Sequence, residues 1–414
     1  MPSSTRLSGH SVQIILVTTQ YVTEARTRHG GIAVQLSHMA QALKAEGHAV
    51  RVLVESTEGS EVLQHEEIIV ERLRRPRWVE RLVGLGRYRP LRPVPLNAPL
   101  IAYSFWRAST RRLLALQAAG QLDAVLFADA GAAIFGAPGL HTPQILWITS
   151  HYPTYQRLNV GRKTLEYRLM NALVGRRYRL ATRLYANSPL TAALVARDYR
   201  AQARVLPPIF VLQAVQRDER LRREQSSPYL LYFGRLEPLK GVHELAQALP
   251  ALLAAHPQAR AVFVGQDRRG KAGPSTRAEL EALLGDHRSR VSFYDSQPHS
   301  ALYPLIEGAR LVVLPSHIEN LSNAAMETMG LGRPLVGTRG ASFDEFIEDG
   351  LNGFLAPIGD ADALSAVILR AWSLDDATLE QVGQRARQTI SERFAPHLLA
   401  QALLEWWAEA DPQR

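Results

Sequence analysis

The sequence predicts an α/β protein of two domains, each a parallel sheet flanked by helices. Three observations carry this. At 414 residues the chain is too long for one ordinary core, so two domains of about 200 residues each are the default. Short unbroken apolar runs, such as Ala261 to Gly265 and Leu311 to Leu314, have the pattern of strands buried on both faces. Around the second of these the order is strand, loop, helix, strand, the alternation of a parallel α/β sheet.

Ser11 to Thr19 reads as the first strand. Gly30 and Gly31 lead from it into an amphipathic helix, Ile32 to Glu46, which Gly47 ends before the strand His48 to Val54. A double glycine at such a junction lets backbone approach a phosphate or a sugar, or it simply makes a turn. Val125 to Phe127 and Ile145 to Thr149 are further strands, the second delivering His151 at its carboxyl end. Leu184 to Asn187, before Ser188, is the last strand of this half. Two consecutive prolines in Val205 to Phe210 mark the boundary, so the first domain covers residues 1–208; the polar stretch Arg217 to Ser227 completes the connection.

The second domain, residues 226–395, opens with the strand Tyr229 to Phe233. Gly234, Arg235, Lys240 and Gly241 follow, then a helix from Val242. A strand, a glycine, two cations five apart and a helix start form a phosphate cradle; the plainer alternative is a turn with two exposed cations. Val291 to Tyr294 is another strand. After Leu311 to Leu314, Pro315 ends the strand, Ser322 caps a helix from Asn323 to Met329, and Gly330, Gly332 and Pro334 stop it. Glu319 lies in the loop, with Asn323 and Glu327 one helical turn apart behind it, so three polar groups converge on one crevice. A lone acid usually reads as solvated, but the Ala- and Met-rich helix argues for burial of Glu327. Asp360 and Asp362 form an Asp-x-Asp triplet; because Ala361 to Trp372 is helical in pattern, helix capping explains them better than metal binding.

Glu319 and Glu327, with seven residues between them, follow a VLPS strand and precede a G-x-P-L-V strand. With the Gly-Arg-x-x-x-x-Lys-Gly order from Gly234 to Gly241, they resemble the motifs of family 4 retaining glycosyltransferases. The resemblance covers nearly the whole chain. It implies the GT-B architecture, two Rossmann-like domains facing a central cleft, with a terminal helix in residues 396–414 packing back on the first domain. It also implies transfer of a hexosyl unit from a nucleoside-diphosphate sugar to an acceptor hydroxyl, lipid-linked or anionic, in glycan or glycoconjugate biosynthesis. Arg235 and Lys240 would bind the leaving diphosphate, Glu319 would orient sugar hydroxyls, and His151 would touch the donor sugar near the reacting carbon. Glu327 would take ribose or sugar hydroxyls with Asn323 assisting, while Gly30, Gly31, Gly234, Gly265, Leu321 and Ser322 would line the donor. No cofactor and no metal is implied. The chain departs from the family at Asn320, Leu321 and Ser322, where Gly-Phe-Gly is usual, and at Phe293, Tyr294 and Asp295, where Phe-x-Gly is common. A sugar-nucleotide epimerase or a phosphorylase of the same architecture is the rival reading.

Composition narrows the classes further. With no cysteine, disulfides, thiolate nucleophiles and cysteine metal sites are excluded. No apolar run reaches bilayer-spanning length, so a cytoplasmic protein is expected, peripheral at the inner face of the membrane at most. The net charge of +9 is uneven: residues 1–210 hold 27 Lys and Arg against 13 Asp and Glu, or +14, leaving 21 against 26, or −5, for the rest. A basic first half suggests an anionic partner. Arg72 to Arg92 has eight arginines with Trp78 and Tyr88 and only Glu80 as counter-charge, and Arg162 to Arg183 repeats the pattern with helical character. Such segments are either solvated or contact an anionic membrane surface. No nucleic-acid motif accompanies them, so a basic nucleic-acid-binding protein is the weaker rival from another class.

Overall fold

Ile14, Ile15, Leu16 and Val17 are all buried, but Ile14 and Leu16 join one apolar cluster while Ile15 and Val17 join another. Alternate side chains of a strand point to opposite faces, so an unbroken apolar run is what a sheet covered on both sides requires. The computed structural model describes residues 11–22, 31–85, 97–128, 135–154, 165–218, 221, 224, 226–268, 270, 273, 275–319 and 322–409. The chain divides into unit 1, Met1–Ile209 with Pro396–Arg414, and unit 2, Phe210–Ala395.

Unit 1 holds β1 (Gln13–Thr18), β2 (Ala49–Ser56), β3 (Glu61–His65), β4 (Ile68–Arg74), β5 (Ala124–Ala128), β6 (Gln144–Ile148), β7 (Leu184–Ala186) and β8 (Arg204–Val205). Their order is β3-β4-β2-β1-β5-β6-β7-β8, parallel throughout except where edge strand β3 runs against β4. The hairpin β3–β4 carries no glycine signal; Glu66 and Glu67 take its positive φ values. Its helices are α1 (Gly31–Ala45), α2 (Arg77–Leu85), α3 (Asn97–Ala118), α4 (Leu165–Leu180) and α5 (Pro189–Tyr199). α1 covers the Ile14 face, and α3, α4 and α5 cover the Ile15 face. Glu71 of β4 is buried; Arg112 of α3 donates to it at 2.6 and 2.7 Å, and Arg51 of β2 is a second partner. Burial raises the pKa of that carboxyl, but the two guanidiniums outweigh burial and hold it below its ordinary value.

Unit 2 holds β9 (Tyr229–Phe233), β10 (Arg260–Val264), β11 (Val291–Tyr294), β12 (Leu311–Val313), β13 (Leu335–Arg339) and β14 (Phe354–Pro357), all parallel, in the order β11-β10-β9-β12-β13-β14. Its helices are α6 (Val242–Ala255), α7 (Thr276–Leu284), α8 (His299–Gly308), α9 (Asn323–Gly330), α10 (Ala361–Trp372) and α11 (Asp376–Arg393), around one core. α12 (Pro396–Ala408) then leaves unit 2 and lies against α1, adding Leu399, Leu403, Leu404 and Trp407 to the Ile14 side of unit 1.

Two expectations need correction. The stretch Arg217 to Ser227 is more than the rest of the connection, because its described residues Leu221 and Glu224 are buried in unit 2 and Glu224 accepts from Ser292 Oγ (3.1 Å) and Tyr294 OH (2.5 Å). Nor do the arginines of Arg72 to Arg92 have only Glu80, the one acid inside that stretch, as a counter-charge. Arg72 pairs with Glu61 and, at 3.8 Å, with Glu58, and Arg75 Nε lies 2.9 Å from Glu55 Oε1. Glu55 lies on β2 and Glu61 on β3, with Glu58 between the two strands, all outside the stretch itself. Residues 86–92 of that stretch, and 162–164 of Arg162 to Arg183, lie outside the described residues.

Candidate functional site

In unit 2 the first strand, β9, has β10 and β11 to one side and β12 to β14 on the other, so connections reverse direction between β9 and β12. The carboxyl ends of two such strands open a crevice in which α/β sheets bind ligands. The segment leaving β9 is Gly234 to Gly241, and the one leaving β12 is Leu314 to Ser322. Gly241 has φ +66°, and a β-carbon there would fall 1.8 Å from the Pro315 carbonyl oxygen. At Gly265, which ends β10, a β-carbon would fall 1.6 Å from the Gly234 oxygen. Only glycine at both places lets the three segments pack backbone to backbone. His317 N donates to Leu239 O at 3.0 Å and joins the two loops.

Polar groups gather at this junction. Lys240 Nζ lies 2.5 Å from Glu319 Oε1, and Ser316 Oγ donates to the same oxygen at 2.7 Å. The Ser342 hydroxyl donates to Glu319 O at 2.7 Å, and that of Thr338 to Ser316 O. Arg235 Nη2 lies 2.8 Å from Glu237 Oε1; the Arg235 side chain is 42% exposed and that of Glu237 8%. The cluster therefore balances two cations against two carboxylates. α6 and α9 both begin here, and Ser322 caps α9 by accepting from Ala325 N at 3.3 Å. Their N-terminal N–H groups add positive potential at the crevice. On α9, Glu327 Oε1 is 3.1 Å from His299 Nε2 at the start of α8.

The structure thus gathers Gly234, Arg235, Lys240, Gly265, Glu319, Ser322, Asn323 and Glu327 around the carboxyl ends of β9, β10 and β12, while Leu321 lies outside the described residues. Gly31, the exposed first residue of α1, and His151 belong to unit 1, and Gly30 is outside the described residues. His151 does not open onto solvent as a strand-end histidine might be expected to. Its side chain is 1% exposed, with Nδ1 2.7 Å from Thr154 Oγ1 and Nε2 3.2 Å from Asp198 Oδ2. Asp198 comes from α5, far along the chain. Sequence reasoning missed Ser316, Thr338, Ser342, Glu237 and His299. Of these, Ser316 and Glu237 sit inside the motifs that were read. Asp360 caps α10, accepting from Ala363 N at 2.9 Å, and among the described residues no group of three or more His, Asp or Glu is placed to hold a metal ion.

Residues 227–373 match the family described as Glycosyl transferases group 1, and residues 29–212 match Glycosyltransferase Family 4. The chain belongs to the family 4 glycosyltransferases. Like the paired Glu319 and Glu327 motif, the Gly234 to Gly241 cradle of this family 4 glycosyltransferase lies within the first of these matches. The chain is 32% identical over 174 residues to the D-inositol 3-phosphate glycosyltransferase of Corynebacterium efficiens, covering 41% of this chain and 41% of that protein's length. Among solved structures, sucrose-phosphate synthase from Thermosynechococcus elongatus superposes with a TM-score of 0.73 at 19% identity, covering 96% of this chain and 98% of the other. HepE of Anabaena in complex with UDP-glucose gives 0.65 at 20% identity, covering 96% and 99%. These likenesses show the fold, two Rossmann-like units of the GT-B type. No described helix is long and apolar enough to cross a membrane.

Proposed function

We propose that the chain transfers a hexosyl unit from a nucleoside-diphosphate sugar to an acceptor hydroxyl, sugar-borne or lipid-linked, with retention at the anomeric carbon and without a metal. The observation that carries this reading is the Arg235, Lys240 and Glu319 cluster at the β9/β12 reversal, with two helix starts beside it. UDP and UDP-glucose in the HepE complexes, at a fold of the same type, support the class of donor. The diphosphate would sit against Gly234, Arg235 and Lys240. Glu319, oriented by Ser316 and Lys240, would hold sugar hydroxyls; Glu327, with Asn323, would take the ribose or sugar hydroxyls.

Charge grows on the diphosphate as the glycosidic bond breaks. Lys240 then shifts its hydrogen bonding from Glu319 toward the leaving oxygens, which stabilises the transition state more than the ground state. The acceptor attacks from the face the diphosphate leaves, and a departing phosphate oxygen takes its proton. His151, held by Thr154 and Asp198 beyond the end of β6, would contribute from unit 1 by touching the donor sugar near the reacting carbon.

The test is a thermal-shift screen of UDP-, GDP- and ADP-sugars, since ligand bound to the native state raises the melting temperature. NMR of the product's anomeric proton with the best donor follows, with and without EDTA. A retained anomer made at an unchanged rate in EDTA is the expected result. An inverted product, or activity lost to EDTA and restored by magnesium, sinks the mechanism.

A further inference from the structure

One face of unit 1 carries a charge pattern that glycosyl transfer does not use. α3 lies between α2 and α4, and the three helices hold nine arginines, no lysine and two glutamates. Neither glutamate is exposed, and Glu166 accepts from Ala98 N at 2.7 Å, tying the starts of α3 and α4 together. By contrast Arg77, Arg81, Arg107, Arg111, Arg168 and Arg176 are exposed, and none of them makes an ion pair among the described residues. On α3, Tyr103, Arg107 and Arg111 stand one turn apart. Apolar side chains are exposed between these cations: Trp78 at 52% and Leu82 at 49% on α2, Leu165 at 66% and Leu169 at 36% on α4.

An ordinary solvated face mixes both signs of charge and does not expose tryptophan and several leucines among its cations. A nucleic acid would accept the arginines but gain little from the leucines. A bilayer interface accommodates both, with anionic headgroups for the guanidiniums and the acyl boundary for tryptophan and leucine. We propose that the α2, α3 and α4 face docks unit 1 on an anionic lipid surface, the six arginines meeting headgroup phosphates while Trp78, Leu82, Leu165 and Leu169 insert shallowly. The face differs from the two arginine-rich stretches read in the sequence, since Arg72 and Arg75 are spent on strand-borne acids and α3 contributes cations from outside both. Docking needs neither donor nor acceptor, so it stands or falls apart from the catalytic reading.

The test is co-sedimentation of the full chain with phosphatidylglycerol-containing vesicles, pure phosphatidylcholine vesicles and, by gel shift, duplex DNA. Expected is salt-sensitive binding to the acidic vesicles and at least tenfold weaker binding to the neutral ones. Replacing Arg107→Gln together with Arg111→Gln should cost about fivefold per charge, or roughly thirtyfold. Trp78→Ser with Leu82→Ser should weaken binding by a similar factor while leaving its salt dependence in place. All four side chains are exposed, so melting temperature and circular dichroism should not move. Equal binding to neutral vesicles, unchanged binding of both double variants, or binding to DNA tighter than to acidic vesicles overturns the proposal.

Discussion

Lys240 and Glu319 share one short contact, so neither can be altered without releasing the other. Lys240→Ala should lower kcat about ten- to hundredfold, the worth of one charge-assisted hydrogen bond expressed in the transition state. Glu319→Gln should lower it comparably. The double variant should fall well short of the product of the two, with a coupling of about 1 kcal/mol or more; strict additivity in steady-state kinetics would show the pair to be independent. His38 of α1 offers a separate check, on stability. Burial pushes its pKa from an ordinary 6.5 down to about 4, so the neutral ring's contribution is complete above pH 6.5 and is lost as pH falls toward 4. Roughly 3 kcal/mol should go across that window. Part of the slope belongs to His48, whose pKa burial lowers as well. The melting-temperature slope between pH 7 and 4.5 should flatten in His38→Gln; an unaltered slope would contradict this assignment. At this scale the sequence disclosed the charged side chains themselves. It did not disclose that Lys240 faces Glu319 and Glu327 faces His299, because each partner's position depends on how distant segments fold together, nor that Arg235 turns to Glu237 within its own loop.

Elements were easier to read than contacts. β9 runs where its apolar run places it, because burial on both faces leaves no charged residue to blur the pattern; β11 does so too, although it holds Ser292 and is half-buried beyond Val291, and Gly47 and Ser322 mark helix ends as their chemistry demands. The β3–β4 hairpin escaped notice, since β3 is largely exposed and its turn uses Glu66 and Glu67 rather than glycine. The loop between β9 and α6 shows how little freedom such an element has. Gly241→Ala combines a left-handed backbone with a β-carbon driven into the Pro315 carbonyl, and the loops leaving β9 and β12 would have to separate. About 3 kcal/mol of stability should be lost, as for a severe overpacking change, and donor binding should weaken with it. Chemical denaturation and a donor thermal shift on the same variant decide this. A variant as stable as the parent would mean that the two loops are not held so closely.

For the whole molecule, the two α/β units could be foreseen from length and alternation, and the return of α12 only through family resemblance, because Trp406 and Trp407 alone do not say which core they join. Ending the chain at Ala395 removes Leu399, Leu403, Leu404 and Trp407 from unit 1, each worth about 2 kcal/mol of burial. Together that is about 8 kcal/mol, which lies within the 5–15 kcal/mol that holds a typical domain together. The shortened chain should show an early unfolding transition or bind a hydrophobic dye, with unit 2 still melting cooperatively; a calorimetric trace like that of the intact chain would refute it. The same helix sets a timetable on the ribosome. Unit 2 is an unbroken stretch of chain, whereas the Ile14 face of unit 1 waits, uncovered by α12, until all of unit 2 has been synthesised. The carboxyl-side unit can therefore settle first, and the nascent amino-side unit must be shielded in the interval, which makes it the natural client of a chaperone.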